Sequence, residues 1–189
     1  MIRVHQEDLC QALSVPPTMK YQASGGPGPP QIAEVLRAHV SGVSAETEVW
    51  RFASALAFNW LIGGMDAHAK NYALLLDHAD IRLAPLYDVS SYLPYDDSSG
   101  RKIKLAMTVG RDYRLAATDR RSTWVRAART LGLDPQRLIE LVANMARATP
   151  LAFETAAQLP DLAHTRSELP ERLVELVTTR CEACVAILQ

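Results

Sequence analysis

Met65-Asp66-Ala67-His68-Ala69-Lys70-Asn71, followed by Leu86-Tyr87-Asp88, is the stretch on which the reading of this chain turns. It sets a carboxylate, an amide five residues later, and a second carboxylate beyond a short apolar stretch. That order suits phosphoryl transfer. One group orients an attacking hydroxyl, and two oxygen ligands hold Mg²⁺ against nucleotide phosphates. Asp66 alone or Asn71 alone would mean little, because an Asp at a loop start commonly caps a turn. Between them, His68 can donate to a phosphate or a backbone carbonyl. Lys70 can offset the charge of Asp66 and of a transferring phosphoryl group, or stay solvated.

The flanking sequence predicts rigid structure on both sides. Upstream, Ala45 to Ile62 reads as a helix, with Ser44 as N-cap and Glu46 and Glu48 near its favourable first turn. Val49, Trp50, Phe52, Ala53, Leu56, Ala57, Trp60 and Leu61 span a wide apolar arc, so the helix is largely buried. Gly63-Gly64 ends it. Downstream, Tyr72 to Leu76 and Ile81 to Leu83 read as a hairpin about Asp77-His78-Ala79-Asp80, which returns Tyr87-Asp88 to the side of Asp66.

Further out, Glu7 to Leu13 reads as a short helix stopped by Pro16-Pro17. Ser24-Gly25-Gly26-Pro27-Gly28-Pro29-Pro30 reads as a connector rather than a phosphate cradle. Its prolines offer no N–H, and no Gly-Lys-Ser/Thr follows. Gln31 to Val40 has helical spacing. Tyr95 to Lys102 is turn-rich, with a mobile Asp96-Asp97-Ser98-Ser99-Gly100, and Leu105 to Leu115 fits a strand or an ordered loop. Thr123 to Leu131 is the next expected helix. Asp134-Pro135 opens another to about Arg147. Pro150 should interrupt it before Leu151 to Leu159 resumes. Glu168 to Leu188 forms the last helix, with Leu173, Leu176, Val177, Cys181, Cys184, Val185 and Leu188 on one face. The fold class is therefore mainly α, with a small β-hairpin beside the polar loop.

At 189 residues, 48% of them hydrophobic, the chain suits one domain with a sizeable core. The net charge of −1 argues against wholesale nucleic-acid binding. The basic residues are concentrated: Arg101 to Arg129 holds nine Lys and Arg against Asp112 and Asp119. That stretch is either a solvated face or a surface for phosphate, an acidic partner or DNA. No secretory signal precedes Gln6-Glu7-Asp8, and no run reaches the roughly 18 apolar residues of a membrane span. Three cysteines, Cys10, Cys181 and Cys184, fit a reducing cytoplasm. The spacing Cys181-Glu182-Ala183-Cys184 lacks a second ligand pair, so these read as buried helix cysteines.

Asp-x-x-x-x-Asn is also the catalytic-loop spacing of protein kinases. More specifically, residues 58 to 71 (FNWLIGGMDAHAKN) resemble the catalytic loop of the HipA-like serine/threonine kinases, the toxin half of bacterial toxin–antitoxin pairs. Leu83-Ala84-Pro85-Leu86-Tyr87-Asp88-Val89-Ser90 resembles their metal-binding segment. His5-Gln6-Glu7-Asp8-Leu9-Cys10-Gln11-Ala12 and Lys104-Leu105-Ala106-Met107 match in collinear order. The resemblance implies a kinase-like C-terminal lobe, with ATP and Mg²⁺ as cofactors. It implies Asp66 as catalytic base, Asn71 and Asp88 as Mg²⁺ ligands, and His68, Lys70 and Tyr87 against the nucleotide. It further implies a protein Ser/Thr hydroxyl as substrate and a small DNA-binding antitoxin as partner, with indirect DNA contact through residues 101–129. No glycine-rich loop or strand lysine precedes His5, so the expectation is of a lobe lacking its ATP-gripping amino-terminal counterpart. Two other readings are a non-catalytic lobe that binds an antitoxin, DNA or another chain, and a metal-dependent phosphate-ester hydrolase using Asp66, His68 and Asp88.

Overall fold

A computed structural model describes residues 3–40, 43–77, 80–96, 100–163 and 167–189. The side chains of Val43, Ser44, Asp80 and Ala163 also fall outside the described set. The expected cap Ser44, the turn tip His78-Ala79 and the loop residues Asp97-Ser98-Ser99 therefore lie outside what is described here.

The most buried apolar arc in the sequence becomes the centre of the molecule. Helix α3 (Val43–Leu61) carries Val49, Phe52, Ala53, Ala57, Trp60 and Leu61, all fully buried. Helix α2 (Pro29–His39) lies along it, and Ile32 and Leu36 join the same core. Three more helices complete the bundle: α5 (Arg121–Leu131), α6 (Pro135–Ala157) and α8 (Leu169–Leu188). The most extensive helix–helix contact is between α6 and α8. Cys181 and Cys184 are buried in α8, where burial pushes their thiols up to about 11 and about 12. They are packing residues, as their sequence context predicts.

The strands extend the expected hairpin. Strand β2 (Ala73–Asp77) pairs antiparallel with β3 (Asp80–Leu83), and on its other side with β1 (His5–Asp8) in the register Asp8↔Ala73. β1 corrects the expected helix over Glu7 to Leu13. Asp8 is a strong helix cap: its carboxylate accepts from the backbone N–H of Cys10 and Gln11, and the Gln11 amide oxygen accepts from Asp8 N–H. The cap fixes the helix start at Leu9, leaving only α1 (Leu9–Ala12), and the residues before it take up extended backbone on the sheet edge. Glu48 anchors this sheet to the core. It is buried on α3, accepts from Leu83 N–H at 2.6 Å and pairs with Arg51 at 2.9 Å.

The stretch from Leu105 to Leu115 resolves as a second hairpin, β4 (Lys104–Val109) with β5 (Asp112–Arg114), ending at the one-turn helix α4 (Leu115–Thr118). Pro150 corrects a further expectation. α6 runs through it without interruption. The missing N–H forfeits one bond to the Ala146 carbonyl. The apolar stripe of Leu138, Ile139, Val142, Ala143 and Ala146 is buried, and packing along α8 outweighs that loss. A short α7 (Pro160–Ala163) connects to α8. Among the described residues no helix is long and apolar enough to cross a membrane.

Candidate active site

The core sets the position of Asp66. α3 ends at Leu61, and Gly63 just beyond it has a φ of +64°, a left-handed conformation that favours glycine. Gly64 N–H donates back to the Asn59 carbonyl at 2.7 Å. Asn59 itself is buried, with its amide on the Ala55 carbonyl (3.0 Å) and the Tyr72 hydroxyl (3.3 Å). Asp66 thus follows a fully packed helix end by five residues, on a fixed backbone.

From Asp66 the chain closes a tight turn. His68 N–H donates to the Asp66 carbonyl at 2.8 Å, and Asn71 N–H donates to the His68 carbonyl at 2.9 Å. The Asn71 side chain adds a third tie, its Nδ2 donating to the same Asp66 carbonyl at 2.8 Å. That bond uses Nδ2 as donor, which leaves Oδ1 as the acceptor end of the amide. Asp88 follows the hairpin with φ +53°, a left-handed conformation uncommon outside glycine and a form of strain often found at functional sites. Its charge acts on His68, and the Tyr87 hydroxyl donates to the Lys70 carbonyl, so the two segments are adjacent. An amide oxygen and a carboxylate are hard donors, the kind that suit Mg²⁺ shared with phosphate oxygens. Among the described residues no cluster of three or more His, Cys, Asp and Glu forms a metal cage.

His68 and Lys70 are placed differently from one another. His68 is buried, and burial pushes its pKa down, against an opposing pull from Asp66. Its Nε2 is 3.8 Å from Asp66 Oδ1, beyond hydrogen-bond reach, and its buried Nδ1 has no protein partner. Lys70 pairs with Asp8 at 2.6 Å, not with Asp66. The capping carboxylate of α1 therefore also holds the catalytic-type loop. That bond raises the Lys70 pKa.

Tyr21 was not anticipated by the sequence reading. Its hydroxyl donates a short hydrogen bond to Asp66 Oδ1, and its ring meets His68 edge-on at 5.0 Å. The loop that carries it is tightly built. Ala69 N–H donates to the Lys20 carbonyl, Gly26 N–H to the Tyr21 carbonyl, and Gln22 Oε1 accepts from Thr108 N–H at 2.8 Å. A Cβ on Gly26 would lie 1.9 Å from the Met19 carbonyl oxygen, so only glycine fits. The glycine–proline stretch does connect α1 to α2, and its glycines also close the loop that sets Tyr21 on Asp66. The only sequence signal was the Tyr21-Gln22 pair just before Gly25-Gly26.

The hydrogen bond to Asp66, then burial, pushes the Tyr21 hydroxyl up to about 12. A raised pKa means the protonated hydroxyl stabilises the fold fully below pH of about 10 and loses that contribution as pH climbs toward 12. Asp66→Asn removes the charge and should return the Tyr21 titration toward 10, read from the tyrosine ring carbon signals by NMR. An unchanged midpoint would mean the carboxylate is not what holds the proton.

On its other side Asp66 lines a cavity of about 950 Å³. Tyr21, Tyr92, Lys104, Arg111 and Arg114 line it too, whereas His68, Lys70, Asn71 and Asp88 do not. Of the site residues singled out in the sequence, Asp66 alone lines this cavity. The basic stretch divides accordingly. Arg121 is used internally, donating to the Leu188 carbonyl and Gln136, while Lys104, Arg111 and Arg114 face the cavity.

Comparison with known proteins places the fold and the family. The protein named "Putative kinase Y4mE" from Sinorhizobium fredii is 39% identical over 161 residues, covering 83% of this chain and 37% of that protein. The "Serine/threonine-protein kinase toxin HipA" of Shewanella oneidensis is 27% identical over 200 residues, covering 96% of this chain and 43% of that protein. The chain thus spans less than half the length of these relatives. The solved complex of the Shewanella oneidensis toxin–antitoxin system, HipA and HipB with operator DNA, superposes with a TM-score of 0.83 at 24% identity. The match covers 99% of this chain and 45% of that one. The mainly α fold with small antiparallel strands is that of a kinase-like C-terminal lobe. The family model for the HipA-like C-terminal domain matches residues 2–153, and the chain belongs to that family.

Proposed function

We propose that this chain is the catalytic lobe of an ATP- and Mg²⁺-dependent protein serine/threonine kinase. It would act in the cytoplasm within a toxin–antitoxin module, with a DNA-binding antitoxin as partner. One observation carries the reading. The backbone carbonyl of Asp66 anchors the Asn71 amide, so a single turn holds together a carboxylate that lines the groove and an amide that does not. A kinase needs that division between the acceptor and the nucleotide.

In this reading Asp66 accepts a hydrogen bond, and then the proton, from a serine or threonine hydroxyl in the groove. Tyr21 holds Oδ1, leaving Oδ2 for the acceptor. Asn71 and Asp88 would hold Mg²⁺, which when bound neutralises the charge on the transferring phosphoryl group. Tyr87 and Lys70 brace the two loops through their mutual hydrogen bond, and Asp8 keeps Lys70 in place. An amino-terminal lobe, on the same polypeptide or supplied by another, would grip the nucleotide.

The test is label transfer. This lobe is combined with an amino-terminal kinase lobe, Mg²⁺ and γ-labelled ATP, and protein-bound phosphate is followed. Label on serine or threonine is the expected result. Release of free phosphate with no labelled protein would replace the kinase by a hydrolase. No turnover alongside intact partner binding would favour a non-catalytic lobe.

A further inference from the structure

We infer that the cavity beside Asp66 is the groove for the acceptor polypeptide, and that it selects a hydroxyl residue flanked by acidic side chains. The inference rests on the kinase reading for what the hydroxyl does, but not for what the groove binds.

The charge arrangement carries the argument. Lys104 and Arg114 are direct cross-strand partners at the open end of the β4–β5 hairpin. Like charges in that position destabilise a strand pair. Both are exposed, both line the cavity, and among the described residues neither has an ion-pair partner. Arg111 adds a third cation from the hairpin turn, so three cations face two acids in the lining, Asp112 on the hairpin and the candidate base Asp66. The hairpin is not free to move these charges apart. Val109 at its far end is fully buried, and Leu115 N–H donates to the Ile103 carbonyl at 3.0 Å. An anionic occupant would relieve a repulsion that the fold holds in place.

The walls say what kind of anion. Met65, Leu105, Ala106 and Ala117 supply apolar surface, and Tyr92 and Tyr95 supply two exposed rings 6.0 Å apart. Such a mixture suits side chains of an extended peptide better than a phosphodiester backbone. At about 950 Å³ the space exceeds the needs of one residue. In the kinase reading the nucleotide lies elsewhere, because Asn71 and Asp88, which would hold its metal, are not part of the lining. A hydroxyl on the occupant would reach Asp66 while neighbouring carboxylates met Lys104, Arg111 and Arg114.

The experiment measures binding without catalysis, by fluorescence anisotropy on the 189-residue chain at low salt. Two short labelled peptides each carry one central serine, flanked by glutamates in one and by lysines in the other. The glutamate peptide should bind about tenfold more tightly. The double variant Lys104→Glu with Arg114→Glu should reverse that order. Lys104→Ala, the milder change, should shrink the preference while circular dichroism stays unchanged. Equal binding of the two peptides, or a preference that survives the charge reversal, would overturn the inference. So would displacement of the glutamate peptide by a single-stranded oligonucleotide at lower concentration than by unlabelled peptide, which would assign the groove to nucleic acid. Failure of label transfer with the acidic preference intact would strike the kinase reading alone.

Discussion

Asp66→Asn should lower phosphoryl transfer by roughly 10²–10⁴-fold, the range for loss of a positioned general base. The substitution is close to isosteric. The asparagine oxygen can still accept from the Tyr21 hydroxyl, so the loop that carries Tyr21 keeps its anchor. The backbone carbonyl of residue 66 still receives the His68 N–H and the Asn71 amide, because neither bond involves the side chain. What disappears is the capacity to take a proton and the negative charge facing the groove. The fall should therefore be in kcat, with melting temperature and peptide affinity nearly unchanged. Tyr21→Phe is the informative companion. It removes a hydrogen bond that orients the carboxylate but leaves the base itself, so the loss should be about tenfold, nearer the worth of one charge-assisted hydrogen bond. Initial rates of label incorporation decide the matter. An Asp66→Asn protein retaining more than about a tenth of the rate would remove Asp66 from the role of base.

Much of this arrangement was legible from residue order. The buried arc of α3, the Gly63-Gly64 stop and the hairpin that follows were readable because each depends on local periodicity or on backbone freedom. Asp66 and Asn71 could be singled out as candidates by their kinase-type spacing, and Asp88 by its place after the hairpin. β1 could not be read the same way. His5-Gln6-Glu7-Asp8 has no apolar alternation, and its strand geometry comes from pairing with β2, more than sixty residues distant. The route of α6 through Pro150 was hidden for a related reason. Local propensity opposes it, and tertiary contact with α8, α5 and α3 offsets the cost. Tyr21 was the most consequential omission. Its link to Asp66 crosses 45 residues, and the glycines that shape its loop looked like those of any connector.

Lys70 illustrates a further limit. From spacing alone its charge could be matched to Asp66, four residues away. The fold offers it Asp8, held ready by the capping box of α1, and the pairing of β1 with β2 brings that carboxylate to 2.6 Å. Asp8 thus serves two elements at once. It starts a helix and ties down the loop that carries the candidate base.

Trp60→Ala should destabilise the fold by about 4 kcal/mol, toward the upper end for a buried aromatic truncation. Trp60 is fully buried in the last turn of α3, and its ring meets Trp124 edge-on at 5.1 Å, joining α3 to α5. Its indole N–H donates to Thr118 Oγ1 at 2.9 Å, reaching α4. Arg180 of α8 lies over the ring at 5.2 Å, donates to the Trp60 carbonyl at 3.1 Å, and makes paired bonds to Asp119 at 3.0 and 3.3 Å. One side chain therefore joins three other helices at the point where the chain turns toward Asp66. Alanine would leave a cavity lined by Trp124 and would strip the half-buried guanidinium of its ring. Trp60→Phe keeps most of the volume and the stacking but loses the N–H donor, so its cost should be about 1–2 kcal/mol. Denaturant unfolding of the two variants separates these contributions, since an unchanged m-value assigns the shift to stability. If alanine cost no more than phenylalanine, the packing at Trp60 would be irrelevant. The rigid end of α3 would then have to come from the Asn59, Gly63 and Gly64 contacts alone.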